Sequence, residues 1–435
     1  MNYSDTLEYL FNSLPMYQRI GGAAYKANLN NTVALMDELN HPYKNFPTVH
    51  IAGTNGKGSV SHMLASAFQE AGYKTGLYTS PHLVDFRERI KINGECVSED
   101  FVIDFVAKNR TFFQKLEPSF FEMTVAMAFS YFEQNKVDIA IIEVGMGGRL
   151  DSTNLISPIL SVITNIDFDH TQFLGNSIED IAYEKAGIIK NNTAVIIGEK
   201  DEKSLKVFKD KAKTSNSDLI LAEENCQIGT ISEDIFELNL SAKIENRTYN
   251  IISPLAAWFQ KINIRTALSA LDYINKNSSF KLSKENIEAG FKNVIKNTGI
   301  YGRWQKISTS PTIICDAGHN AHSLKNLKQN FKKLKYNKLH LVLGFANDKD
   351  VNNILNYFPK NANYYFCKAS VQRAMSEKDL LEIASKKGIN SKGFETVPDA
   401  IKNAMEKSKN ENIIYIGGSF FVVADALEYF KNHNN

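Results

Sequence analysis

The segment Gly53-Thr54-Asn55-Gly56-Lys57-Gly58-Ser59 constrains this chain more than any other. The apolar run Thr48-Val49-His50-Ile51-Ala52 leads into it. Val60, Met63, Leu64, Ala67, Phe68 and Ala71 then recur at steps of three and four, the spacing of one helix face. Gly72 is placed to end that helix. A glycine-rich turn between a strand and a helix is the setting of a phosphate loop. Its glycines let backbone N–H groups approach phosphate oxygens, and the helix N-terminus adds partial positive charge. Lys57 can reach the outer phosphates of a nucleotide, and Ser59 can face its metal. The spelling departs from the usual GK[ST] ending, because Gly58 separates Lys57 from Ser59.

The same alternation continues along the chain. Thr75 to Thr79, Ile139 to Val144, Leu160 to Asn165 and Ala194 to Gly198 read as further strands between helical stretches, which predicts a mostly parallel α/β sheet. Leu219 to Ile252 instead shows short alternating runs such as Ile235-Phe236-Glu237-Leu238-Asn239-Leu240, and predicts a small antiparallel insertion. Helices are expected over Asn263 to Tyr273 and Ser283 to Ile295. Past Lys296–Ile300 the alternation restarts, at Ile313 to Cys315, Leu339 to Phe345, Tyr364 to Cys367 and Ile413 to Ile416. With 435 residues the chain is too long for one ordinary core. The division expected is residues 1–297 as an ATP-binding domain and 298–435 as a smaller C-terminal α/β domain.

Charge and composition narrow the partners. A net charge of +2 offers no basic field for nucleic acid. Cys96, Cys226, Cys315 and Cys367 form no CxxC pair, so they read as free thiols in a reducing compartment. Met1 to Arg19 lacks the basic-then-apolar order of a signal peptide, and no apolar run is long enough to span a membrane. The expectation is a cytoplasmic protein.

The GTNGKGS spelling resembles the Mur ligase superfamily, and within it the folylpolyglutamate synthase branch. The resemblance continues through Thr79-Ser80-Pro81-His82-Leu83, Phe121-Glu122-Met123-Thr124, Glu143 to Asp151, Asp169-His170-Thr171 and Glu184-Lys185-Ala186-Gly187-Ile188. It reappears as Gly302-Arg303-Trp304 and Asp316-Ala317-Gly318-His319-Asn320. Taken in order from about residue 48 to 320, these matches are specific, although most of them alone are weak.

The resemblance implies an ATP- and Mg²⁺-dependent ligase that adds L-glutamate to dihydropteroate and to tetrahydrofolate, with a monofunctional folylpolyglutamate synthase as the alternative. It assigns ATP to Thr54, Asn55, Gly56, Lys57, Gly58 and Ser59, with Asn263, Arg303 and Asp316 on the adenine and ribose. Metal contact falls to Ser80, Glu143 and His170. Independently, Glu143 ends a buried apolar strand, where a carboxylate needs a partner and where open α/β sheets bind ligands. The pterin end is implied near Phe121, Glu122, Met123 and Thr124 and near Leu150, Asp151 and Ser152. Phe121 can stack on a flat ring or serve as a core aromatic. Lys185 matches a lysine that the family carries carbamylated; a salt bridge or a direct phosphate contact is the alternative. Lys57, His170 and Lys185 are therefore the expected catalytic set. A carboxylate does not react with an amine at neutral pH. Activation as an acyl phosphate, followed by attack of the glutamate amino group with water excluded, is the chemistry such parts perform.

Two other readings bear on the same residues. A ligase for cell-wall precursors would need a further N-terminal substrate domain, and the loop begins at residue 53. A nucleotide-binding regulator without turnover would not need Lys57, Glu143, His170 and Lys185 together. Lys325 to Lys338 is lysine-rich, but Leu324, Leu327, Phe331 and Leu334 fall at helical spacing, so the lysines read as a solvated face. Tyr17 to Asn40, with Arg19 and Lys26, can border the substrate site. A monomer is expected.

Overall fold

The computed structural model describes residues 2–13 and 28–433. Arg19 and Lys26, expected beside the substrate site, lie outside them. Strands β1 (Thr48–Ala52), β2 (Thr75–Tyr78), β3 (Ile90–Ile92), β4 (Glu95–Cys96), β5 (Ile139–Glu143), β6 (Leu160–Ile163), β7 (Val195–Ile197) and β8 (Leu219–Leu221) form one sheet. Its order is β4-β3-β2-β5-β1-β6-β7-β8. It is parallel from β2 to β8, with β3 and β4 added antiparallel at one edge. β1, β2, β5, β6 and β7 are buried along their whole length, as their unbroken apolar runs require.

Three antiparallel strands, β9 (Gln227–Glu233), β10 (Leu238–Ile244) and β11 (Arg247–Ser253), form a separate sheet. This is the expected insertion, with two corrections. Leu219–Leu221 is not part of it but pairs parallel with β7, closing the main sheet. Ile235 and Phe236 sit in the turn before β10, where Asp234 accepts from the Phe236 N–H. In β10 the buried positions Leu238, Leu240, Ala242 and Ile244 alternate, as a strand with one covered face must.

A six-stranded sheet in the second half of the chain joins β12 (Gln305–Thr309), β13 (Thr312–Asp316), β14 (Leu339–Leu343), β15 (Asn363–Cys367), β16 (Ser391–Phe394) and β17 (Ile413–Gly417) in the order β12-β13-β17-β14-β15-β16. All its pairs are parallel except β12–β13. The lysine-rich helix Ala321–Lys333 buries Leu324, Leu327 and Phe331 and ends before Leu334.

The helix Lys57–Glu70 differs from the one-faced helix expected. Every residue from Ser59 to Phe68 is buried. It is packed on the sheet and under the helices Gln260–Asn277 and Lys284–Lys292. Gly290 permits this: a Cβ there would collide with the backbone of Ala67. The polar residues of this helix find partners instead of solvent. Ser66 donates to the Gly290 carbonyl (2.7 Å), and His62 meets Thr298 (2.8 Å).

Candidate functional site

The C-terminal ends of β1, β5 and β6 open onto a cleft of about 390 Å³, closed on its far side by residues of the second sheet. The phosphate loop forms its floor. Gly53 (φ 148°) and Gly56 (φ 86°) take conformations that other residues rarely adopt. A Cβ on Gly53 would meet the Thr164 side chain, and one on Gly56 the Asn263 amide. Asn165 holds the loop from beneath, its carbonyl accepting from Thr54 N (3.0 Å) and its Oδ1 from Asn55 N (2.8 Å). Lys57 folds back to donate to the carbonyls of Gly53 (2.9 Å) and Thr54 (3.2 Å). Ser59 is buried and accepts from Gln260 Nε2 (3.2 Å), and Gln260 Oε1 accepts from Asn263 Nδ2 (2.8 Å). Gln260 was not foreseen; its position one turn before Asn263 on the same helix was the available signal.

Glu143 ends β5 and accepts from the Ser80 N–H (3.2 Å). Burial pushes its carboxyl up, while Lys57, that N–H, Arg303 and Arg89 pull it back. His170 has a left-handed backbone (φ 49°) and lies 3.9 Å from Asp169. Burial lowers its imidazole to about 4, so the ring is neutral and able to bind metal at neutral pH. Ser80, Glu143 and His170 all line the cleft. Asp169 pays for its burial, yet His170, His319, Lys349 and the Asn320 hydrogen bond bring it below the usual carboxylate range.

Lys185 lies under the loop rather than in the cleft. Its Nζ donates to the Gly53 carbonyl (3.0 Å). Burial first, then Lys57, lowers its amine to about 7, against the partial opposition of Asp169 and Asp151.

Arg303 and Asp316 come from the second half of the chain; Asp316 is buried and Arg303 partly so. Asp316 accepts from the N–H groups of Gly318 (2.9 Å) and Trp304 (2.7 Å). Arg303 lies 5.1 Å over the Phe420 ring. Gly58, the residue that breaks the usual loop spelling, faces both groups: a Cβ there would come within 3.7 Å of Arg303 and of Glu143. Asn320 crosses between the halves, donating to Asn55 Oδ1 (2.9 Å) and to Asp169 (3.3 Å).

The wall where the pterin is expected is mixed. Phe121, Glu122, Leu150, Asp151 and Ser152 line the cleft. Met123 is fully buried in the core, and Thr124 is bonded to the Tyr78 hydroxyl (3.0 Å). These two lie behind the wall, because successive residues of the helix Phe120–Gln134 point in different directions. Glu122 closes a capping box, accepting from Ser119 N (2.6 Å). Asp151 accepts from Thr153 N (3.0 Å), Thr153 Oγ1 (2.6 Å) and Met146 N (2.9 Å), and from the Gly145 backbone. Arg89, Lys349 and Arg373 also reach the cleft and were not foreseen. No local motif marks them. Arg89 is buried, bonded to His82 (2.8 Å) and set 5.1 Å from the Phe120 ring. Lys349 approaches Asp169 (3.9 Å), and Arg373 pairs with Asp348 (3.1 Å).

The donor set fits a nucleotide with a divalent cation. A buried carboxylate, a neutral imidazole and a serine supply too few ligands for Mg²⁺ alone, but suit one completed by phosphate oxygens. A buried amide nitrogen, Asn55 Nδ2, has no partner beside the loop. Among the described residues no helix is long and apolar enough to cross a membrane.

Residues 51–271 match the Mur ligase middle domain, and residues 302–420 match the Mur ligase, glutamate ligase domain. The chain is 32% identical to the dihydrofolate synthase/folylpolyglutamate synthase of Bacillus subtilis, over 93% of this chain and 95% of that protein. Among solved structures, E. coli FolC in complex with DHPP and ADP superposes with a TM-score of 0.87 at 29% identity, covering 100% of this chain and 99% of that one. A bifunctional folylpolyglutamate synthase/dihydrofolate synthase with Mn, AMPPNP and L-glutamate bound superposes at 0.84 and 26% identity, covering 99% of this chain and 98% of that one. One cleft that gathers a strand-to-helix loop with an inserted glycine, Ser80, Glu143 and His170, and Arg303 and Asp316 from the second half of the chain thus accompanies full-length likeness, and the chain belongs to the Mur ligase family, in its dihydrofolate synthase/folylpolyglutamate synthase branch.

Proposed function

We propose that this protein is an ATP-dependent ligase that adds L-glutamate to dihydropteroate and to tetrahydrofolate through an acyl phosphate, releasing ADP and phosphate. The observation that carries this reading is one cleft that joins the phosphate loop, Ser80, Glu143 and His170, and the Phe121 wall. ATP lies on residues 54–59, with Asn263, Arg303 and Asp316 around its nucleoside. Ser80, Glu143 and His170 hold Mg²⁺, which when bound neutralises charge on the transferring phosphoryl group. Lys57 turns from the loop carbonyls to the outer phosphates and stabilises the same charge. The pterin stacks on Phe121 between Leu150 and Ser152, leaving its carboxylate toward the phosphate loop. Lys349 and Arg373, cationic and on the opposite wall, receive the carboxylates of glutamate.

Lys185 is the residue to carbamylate. An amine lowered to about 7 is largely neutral in mildly alkaline solution, and the neutral amine is the form that adds CO₂. The four free cysteines support a reducing, cytoplasmic setting. The eight-stranded and six-stranded sheets, drawn from different halves of the chain, support residues 1–297 and 298–435 as two domains, working together as a monomer.

The test is mass spectrometry of products after incubation with ATP, Mg²⁺ and glutamate, with dihydropteroate in one tube and tetrahydrofolate in another. A glutamate-sized gain in both tubes is expected. Gain in one alone would reduce the reading to a single synthase, and gain in neither would remove folate as the substrate.

A further inference from the structure

His50 is a buried polar side chain in the middle of β1, three residues before the phosphate loop, and the ligation chemistry leaves it without a task. Its Nε2 lies 2.8 Å from Thr153 Oγ1. The Thr153 hydroxyl has one hydrogen and gives it to Asp151 Oδ1 at 2.6 Å. Its oxygen must then accept from His50, which makes His50 the Nε2–H tautomer. That assignment agrees with the other ring nitrogen, Nδ1, which has no partner. Burial, reinforced by Lys190, lowers the imidazole to about 3, so the ring stays neutral and keeps this single donor.

The chain of contacts continues to the cleft. Besides Thr153, Asp151 accepts from the backbone of Met146 (2.9 Å) and of Gly145. With the two bonds from Thr153, the carboxylate is tied to both ends of its own loop. Gly145 in turn lies directly under the Phe121 ring, where a Cβ would strike it.

The geometry points to Thr153 and His50 as positioning residues: through Asp151 they hold the 145–152 loop against Phe121, and so set the surface that takes the aromatic ring system of the carboxylate substrate. Neither touches the cleft itself, because both are fully buried. The inference rests on the folate reading above. It assigns Asp151 to linking Thr153 with the backbone at Met146, at the edge of the cleft.

The experiment measures initial rates with dihydropteroate, ATP and glutamate varied in turn, beside thermal melts, for wild type, Thr153→Val, Thr153→Ser and His50→Leu. Thr153→Val keeps the shape and removes the hydroxyl. It is expected to raise KM for dihydropteroate about tenfold, the effect of leaving a buried polar group unpaired, with KM for ATP and glutamate within about twofold of wild type. Thr153→Ser restores the hydroxyl and is expected to restore that constant. His50→Leu is expected to shift the same constant in the same direction by less. A Thr153→Val enzyme that melts lower yet keeps the wild-type KM for dihydropteroate would overturn the inference, as would an equal rise in all three constants. If Thr153→Val does not fold, His50→Leu decides, and an unchanged KM for dihydropteroate overturns it. Wild type that neither binds nor ligates dihydropteroate fails differently: it removes the folate reading, and this inference with it.

Discussion

Lys57 and Lys185 are two amines that bond to the same carbonyl, that of Gly53, and burial gives them different work. Lys57 is in the cleft and bonded only to loop carbonyls, so it can leave them for a phosphate. Lys57→Ala is expected to lower kcat/KM for ligation by about 10²–10³-fold, with the far-UV spectrum unchanged. Lys185 is fully enclosed. Its amine is held at about 7 in the fold, against 10.5 for an ordinary lysine. Between those values the unfolded chain carries the proton and the folded chain does not, so this residue makes stability rise with pH across that window. Below it both states are charged and the burden of burying the charge is complete. Lys185→Met is therefore expected to raise the melting temperature of the nucleotide-free protein most below pH 7, with the gain shrinking toward pH 9. A gain independent of pH would show that packing, not charge, is responsible. Both lysines were legible in the sequence because their motifs are short and local. Arg89, Lys349 and Arg373 were not, because each reaches the cleft from a segment with no neighbouring signature.

Among the elements, the helix Lys57–Glu70 shows how packing exceeds pattern. Its apolar spacing foretold one covered face, but helices Gln260–Asn277 and Lys284–Lys292 cover the other. The close approach depends on Gly290. Gly290→Ala is expected to destabilise the protein by about 1–3 kcal/mol, read as a lower denaturant midpoint, while a folded sample retains its KM for ATP. The hairpin β3–β4 turns at Asn93-Gly94, both with positive φ, the pairing that a two-residue turn favours. That signal stood in the sequence unused. β8 was hidden for another reason: a three-residue strand has too short a period to reveal which sheet it joins.

For the whole molecule, the two halves of the chain meet at the reacting end of the cleft through few polar contacts. Asn320 bonds to Asn55 and Asp169 across the gap, and also caps the helix Ala321–Lys333. Asn320→Ser preserves a capping side chain but is too short to bridge. It is expected to raise the ADP released per ligated product above parity, because a looser closure admits water to the acyl phosphate. Coupling equal to wild type would remove Asn320 from the closure. The sequence by itself determined the α/β class, the phosphate loop and the residue types of its chemistry, because periodicity and short motifs are properties of neighbours along the chain. Only the tertiary structure decided that Met123 and Thr124 stand behind the wall, that Asp151 is bonded to Thr153 and Met146, and that Lys185 sits beneath the loop. Those outcomes depend on burial and on hydrogen bonds between segments far apart in the chain, such as Lys185 with Gly53 and His50 with Thr153, which no local pattern encodes.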